Sequence, residues 1–179
     1  MESRYDVIIS GAGPSGSLLG YFLCSKGINT LIIEKQEFPR YKICAGGLQH
    51  RSLGLVPFDI GEVLHKSLHG IYFSYRGRDV FTKKYNLPII HTVDRSEFDS
   101  FLAKKALKNG CILNFDETIT GYEQEKDGVR VNTDKRSYHT KILAGADGIR
   151  GVVHRNLISD SKIHKILGYE AEKYADPAE

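Results

Sequence analysis

At 179 residues, 41% hydrophobic and 26% charged, the chain is long enough to bury one good core, or one domain with part of another, and its composition is that of an ordinary globular protein. With 25 basic and 22 acidic residues the net charge is only +3, which gives no case for nucleic acid as a partner. No run of apolar residues approaches the length of a membrane span, and Arg4 and Asp6 interrupt the N-terminus where a signal peptide would be apolar.

The first element, Val7-Ile8-Ile9, is a short continuous apolar run that suits a parallel strand buried on both faces. It breaks into Gly11-Ala12-Gly13-Pro14-Ser15-Gly16, the spacing of a dinucleotide-binding turn. There the first glycine allows the tight turn, the second lets a pyrophosphate approach the backbone, and the third lets helix and strand pack closely. Pro14 suits the first turn of a helix, because its missing N–H costs nothing at that position. The helix is predicted to reach about Lys26, with Gly27 ending it, and its open N–H groups and positive dipole end face a phosphate. Asn29 to Glu34 reads as the second strand. A carboxylate at its end accepts hydrogen bonds from both ribose hydroxyls and repels a 2′-phosphate, which favours the adenosine ribose of FAD or NAD.

Beyond Glu34 the stretch from Lys35 to Leu48 has neither helical nor strand periodicity. Lys35, Arg40, Lys42 and Arg51 cluster there, and two readings stay open: a solvated loop, or a local positive field for a pyrophosphate or an anionic head group. Leu55 to Leu64 reads as a short connection and helix. Ser67 to Val93 is strand-rich and antiparallel in character, broken by the turn at Arg76-Gly77-Arg78. Arg95 to Asn109 returns to helix, with Phe98, Phe101, Leu102, Ala106 and Leu107 as its apolar stripe, Ser96 as its cap and Gly110 beyond its end. Cys111-Ile112-Leu113 reads as a third parallel strand, and Gly121 to Val131 as a hairpin turning at Lys126-Asp127-Gly128. Lys141 to Gly148 is a strand entering a second glycine-rich turn, followed by a short helix through Arg155, a strand near Ile166 to Tyr169 and a polar tail. Asp147 caps that helix, binds a ligand, or does both, since a helix terminus also attracts anions.

Cys24, Cys44 and Cys111 are odd in number and form no Cys-x-x-Cys pair, so a disulfide framework is not expected and a reducing, cytoplasmic setting is the default. Cys24 and Cys111 read as core residues. His65 and His69 are four apart, as two ligands on one helix face would be, but the residues between them lack a metalloprotease glutamate and no third ligand is evident. The remaining histidines are scattered, and no metal site is expected. Neither a Gly-x-Ser-x-Gly elbow nor a Walker lysine motif occurs, so hydrolase and NTPase chemistry have little support.

Four segments in order resemble the FAD-dependent geranylgeranyl reductase family, within the wider group of flavin hydroxylases and halogenases: Gly11 to Gly16, Pro39 to Leu48, Arg95 to Leu102, and Gly145 to Arg150. The resemblance implies a Rossmann-like α/β domain with a three-layer parallel sheet, built from residues 1–66 and 94–160. It adds part of an antiparallel β substrate domain at 67–93 and 161–179. Members of that family are longer, so this sequence corresponds to their N-terminal half. By resemblance, Gly11, Gly13, Pro14, Ser15, Gly16, Glu34 and Lys35 hold the ADP half of FAD, and Arg95 lies against the cofactor. Asp147 and Gly148 belong to the motif near the pyrophosphate and the approach of reduced nicotinamide, while Cys44, Ala45, Gly46 and Gly47 border the flavin ring. The implied activity is reduction of isoprenoid carbon–carbon double bonds with electrons from NAD(P)H, on a prenylated lipid and with transient contact at a membrane surface. Cys44 is either the proton donor or part of the pocket wall, a thiol being a weak acid. The alternatives are an FAD-dependent monooxygenase and a nucleotide-binding fragment without catalysis.

Overall fold

The computed structural model describes residues 4–157 together with Gly168, Tyr169 and Ala171. In chain order the elements are β1 (Arg4–Ser10), α1 (Pro14–Cys24), β2 (Thr30–Ile33), β3 (Gly47–Gln49), β4 (Lys66–Leu68), β5 (Gly70–Tyr75), β6 (Arg78–Lys84) and β7 (Ile90–Thr92). They continue with α2 (Arg95–Lys108), β8 (Ile112–Asn114), β9 (Ile119–Glu125), β10 (Gly128–Thr133), β11 (Ser137–Gly145) and α3 (Val152–Leu157). Where a short connection and helix are predicted over Leu55 to Leu64, the structure has only a 3-10 turn at Gly61–Val63, and a second 3-10 segment, His50–Leu55, precedes it.

Six strands form the main sheet in the order β8-β2-β1-β11-β10-β9. The first four run parallel, and the hairpin β9–β10 adds two antiparallel strands at one edge. The apolar run at the end of β1 is buried because side chains alternate between two covered faces. Ile8 joins Leu31, Ile33, Val129, Val131 and Tyr138 on one side, while Val7 and Ile9 join Ile32, Ala106 and Cys111 on the other. A third cluster packs Phe98, Phe101 and Leu102 of α2 against Ile60, Val63 and Val93. The small sheet β3-β7-β4 is held by buried His91, whose Nε2 lies 2.8 Å from His50 Nδ1 and whose Nδ1 lies 2.9 Å from Ser67 Oγ. The ribbon β5–β6 stands apart and exposes Tyr72, Phe73, Tyr75, Val80 and Phe81.

Four expectations need correction. Asp94, not Ser96, caps α2: its side chain accepts from the backbone N–H groups of Ser96 and Glu97, and Ser96 is the second residue of the helix. Cys24 and Cys111 are joined as a disulfide between the end of α1 and the entrance to β8, with Cα atoms 5.7 Å apart. Sequence spacing hid this pair, because 87 residues separate the two cysteines and only packing of the helix on the sheet brings them together. His65 and His69 do not share a helix face, because strand β4 lies between them; His65 instead sits 3.0 Å from Glu97 Oε2. Helix α1 ends at Cys24, two residues early, with Gly27 in the left-handed region after it. The strand predicted near Ile166 to Tyr169 falls largely outside the described residues. No helix among the described residues is long and apolar enough to cross a membrane.

Candidate dinucleotide site

Parallel strands β1, β2 and β11 deliver three loops to one end of the sheet, and the candidate site lies there. Gly11 leaves β1 with φ +95°, and its amide donates to Ile33 O at 2.8 Å. A Cβ on Gly11 would fall 2.7 Å from Ala146 O, so the first turn rests directly on the second. Gly16 sits closer still, where a Cβ would come 1.9 Å from Gly11 O. Only glycine at both positions allows the chain to fold back so tightly. Gly13 is the N-cap of α1 and supplies no side-chain cap, so the first-turn amides are left for another acceptor. Pro14 is at the start of the helix and Ser15 is exposed beside it.

Glu34 follows directly on β2, with 5% of its surface exposed. Its Oε2 accepts the Ala12 amide at 2.9 Å and its Oε1 accepts the Gln36 amide at 3.2 Å. Each oxygen keeps a second lone pair for a further donor. The neighbouring Lys35 is exposed and takes no part in these contacts. Of the basic cluster after β2, Arg40 alone is drawn in: Lys35, Lys42 and Arg51 are exposed, whereas the Arg40 side chain is 9% exposed.

Arg40 is the centre of the site. Its guanidinium lies over the Phe38 ring at 4.7 Å, 3.2 Å from Asp99 Oδ2 through Nη2 and 3.8 Å from Glu34 Oε1 through Nε. Nη2 stands 4.0 Å from the position a Gly13 Cβ would take. Nε and Nη1 are buried and have no hydrogen-bond partner. A desolvated cation with open donors beside uncapped helix amides fits an oxyanion, and a diphosphate matches both groups at once.

Asp99 carries the chain of contacts onward. It is fully buried and takes two parallel hydrogen bonds from Arg95, each of 2.8 Å, from Nε and Nη2. Those bonds, more than any other influence, raise the pKa of Arg95 above its ordinary value, and a hydrogen bond between Cys44 and the same guanidinium adds to the shift. Arg40, Cys44, Ala45 and Arg95 line a cleft of about 440 Å³ with Tyr41 and Lys42. Gly46 anchors this loop, since its carbonyl accepts the Val93 amide at 2.9 Å and a Cβ there would lie 2.1 Å from Val93 O. Gly47 continues into β3 opposite Thr92.

On the other flank, Asp147 Oδ2 accepts the Val153 amide at 3.0 Å and the Ser10 hydroxyl at 3.2 Å. Asp147 therefore caps α3 and ties it to β1. Gly148 follows in the left-handed region and is exposed. Gly11, Gly16, Glu34, Cys44, Arg95 and Asp147 thus fall into one connected group through Ser10, Ala12, Arg40 and Asp99, while Ser15, Lys35 and Gly148 are exposed beside it. Sequence reasoning missed Asp99, Ser10 and the burial of Arg40. The spacing Arg95-x-x-x-Asp99, one helical turn, was the available signal for the first.

The sequence signature of the FAD binding domain family matches residues 4–167. An uncharacterized protein of Methanosarcina barkeri is 37% identical over 85% of this chain and 39% of its own length. The digeranylgeranylglycerophospholipid reductase of Methanococcus vannielii is 32% identical over 86% of this chain and 40% of its own length. Among solved structures, a geranylgeranyl bacteriochlorophyll reductase-like protein from Thermoplasma acidophilum superposes with a TM-score of 0.71 at 23% identity, covering 82% of this chain and 40% of that one. The halogenase PltM, solved with phloroglucinol and FAD, gives 0.72 at 23% identity, covering 86% of this chain and 36% of its own. The chain spans about 40% of the length of these curated relatives.

Proposed function

This chain belongs to the FAD binding domain family, and from that premise we propose that it forms the cofactor-binding portion of an FAD-dependent oxidoreductase that reduces isoprenoid carbon–carbon double bonds with electrons from NAD(P)H. The observation that carries the cofactor assignment is the buried Arg40 guanidinium, set against the Gly13 turn with two nitrogens lacking partners. The substrate assignment is supported by the reductase relative and by the Cys44-Ala45-Gly46-Gly47 loop at the cleft.

Bound FAD supplies hydride transfer. The chain supplies position and charge. Gly11, Gly13, Pro14, Ser15 and Gly16 form the diphosphate cradle, Arg40 neutralises it, and the Glu34 carboxylate accepts from the ribose. Arg95, locked by Asp99, presents a fixed cation at the cleft, and Asp147 with Gly148 closes the opposite side. Lys35 contributes charge at the rim. An isolated alkene accepts hydride poorly unless a proton is delivered with it, and Cys44 at the cleft is the side chain assigned either to that delivery or to the cleft wall. Residues 1–66 and 94–157 make the cofactor portion and 67–93 face the substrate, a division that the exposed aromatic ribbon β5–β6 supports; the rest of the expected division, 158–160 and 161–179, lies almost wholly outside the described residues. The substrate is a prenylated lipid met at a membrane surface.

The first test is FAD titration of the purified chain by flavin fluorescence. Binding is expected, and Arg40→Met is expected to weaken it about 10- to 100-fold, the worth of a charge-assisted hydrogen bond. Failure of the wild-type chain to bind FAD would leave the fragment reading. The second test gives the full reading frame NAD(P)H and a geranylgeranylated lipid without oxygen. Products heavier by one H2 per double bond support the reductase, whereas a hydroxylated product formed only with oxygen would replace it with the monooxygenase.

A further inference from the structure

The β9–β10 side of the main sheet carries a second cluster, at the end of β11 opposite the glycine turns. Glu125 closes β9, Asp127 sits in the hairpin turn, and His139 lies on β11 directly across from Arg130. His139 Nε2 is 3.4 Å from Glu125 Oε2 and 3.5 Å from Asp127 Oδ1. The imidazole is 9% exposed, and Nε2 is buried with no hydrogen-bond partner. A buried ring nitrogen aimed between two carboxylates is an unusual thing to leave unsatisfied.

Two further features shape the cluster. Arg130 Nε donates to Glu125 Oε1 at 2.8 Å, which occupies that oxygen and turns Oε2 toward the histidine. Gly128 lies over the ring with φ +155°; a Cβ there would come 2.9 Å from His139 Cε1 and 3.2 Å from Nε2. Absence of a side chain at the turn is what lets the imidazole sit beneath the two acids.

We propose that Glu125, Asp127 and His139 form a divalent metal site, and that Zn2+ is the ion it fits. The three ligand atoms lie within 4.8 Å of one another. Ligand atoms about 2.0–2.2 Å from a tetrahedral zinc stand about 3.3–3.6 Å apart, and both measured separations from Nε2 fall in that range. One imidazole and two carboxylates leave the fourth position to water. Calcium and magnesium prefer all-oxygen sets with more ligands, so the imidazole selects against them. A metal here cross-links the β9–β10 hairpin to the start of β11.

The test is calorimetric titration of the metal-stripped chain with ZnCl2, paired with thermal melts. One equivalent of Zn2+ is expected to bind saturably and raise the melting temperature. Asp127→Asn, on the exposed turn, is expected to weaken binding at least about tenfold without disturbing the fold, and His139→Asn to do the same or more. His65→Ala, which removes the exposed imidazole paired with Glu97, is expected to leave binding unchanged. No saturable binding, binding that Asp127→Asn and His139→Asn leave intact, or binding that His65→Ala abolishes would each overturn the site. Calcium bound as tightly as zinc would overturn the choice of ion.

Discussion

The Ser10 hydroxyl donates to Asp147 Oδ2 at 3.2 Å, joining the last residue of β1 to a residue 137 positions further along the chain. The same oxygen caps α3 through the Val153 amide. Asp147→Ala should therefore destabilise the protein by about 1 kcal/mol, the usual worth of an N-terminal cap. Ser10→Ala, which leaves the cap in place, should cost less. Urea unfolding of both variants measures the order, and the reverse order would show that the cap is not what Asp147 contributes.

Gly13 and Gly16 should respond to alanine in opposite ways. At Gly16 the new methyl meets the Gly11 carbonyl, so Gly16→Ala should destabilise by about 1–3 kcal/mol as overpacking does. At Gly13 the nearest atom is Arg40 Nη2 at 4.0 Å, an ordinary contact. Gly13→Ala should melt like the parent yet bind FAD more weakly, because in the proposed cradle the methyl would stand between the diphosphate and the backbone. Melting curves beside FAD titrations separate the two effects.

Asp99 is a buried carboxylate between two guanidinium groups. Asp99→Asn keeps the shape but removes the charge that both arginines face, and a broken buried ion pair costs about 3–5 kcal/mol. The fold should lose that much in chemical denaturation. A variant within about 1 kcal/mol of the parent would mean that Arg40 and Arg95 find other partners in solution.

Tyr138 lies buried at the opposite end of β11, its hydroxyl 2.8 and 3.0 Å from the two Glu117 oxygens. Burial first, then the Glu117 hydrogen bond and charge, push its pKa from 10.0 up to about 12. The folded state holds the phenolic proton more tightly than the unfolded chain does. Its contribution is therefore complete below pH 10.0 and is lost progressively as pH rises toward about 12. Tyr138→Phe should lower stability at neutral pH by about 1.5–3 kcal/mol, the worth of hydrogen bonds to a charged group, and should lack this alkaline decline. Denaturation midpoints taken across the alkaline range check both.

The parallel core was legible in the sequence because β1 and β2 are buried on both faces, and such strands leave an unbroken apolar run. The turn between them was legible because glycine at Gly11 and Gly16 answers a steric demand that no other residue meets. Arg40 was not. It sits in a run with Lys35 and Lys42, and nothing local marks which cation turns inward; that depends on Asp99, which arrives from α2. Asp99 itself was hidden by the stripe of Phe98, Phe101 and Leu102, beside which a charge reads as solvent-facing. The hairpin at Lys126-Asp127-Gly128 was visible, but its attachment to the edge of the main sheet was not, since pairing partners on β11 are set by tertiary register.

The central position of β1 has a bearing on synthesis. Its neighbours are β2, made soon after it, and β11, the last made of the described strands. Until Ser137 to Gly145 has left the ribosome, β1 presents an open parallel edge, and Gly11 has no Ala146 to rest on. Nascent chains halted before that point should neither capture flavin nor resist proteases, however complete their first sixty residues look on paper.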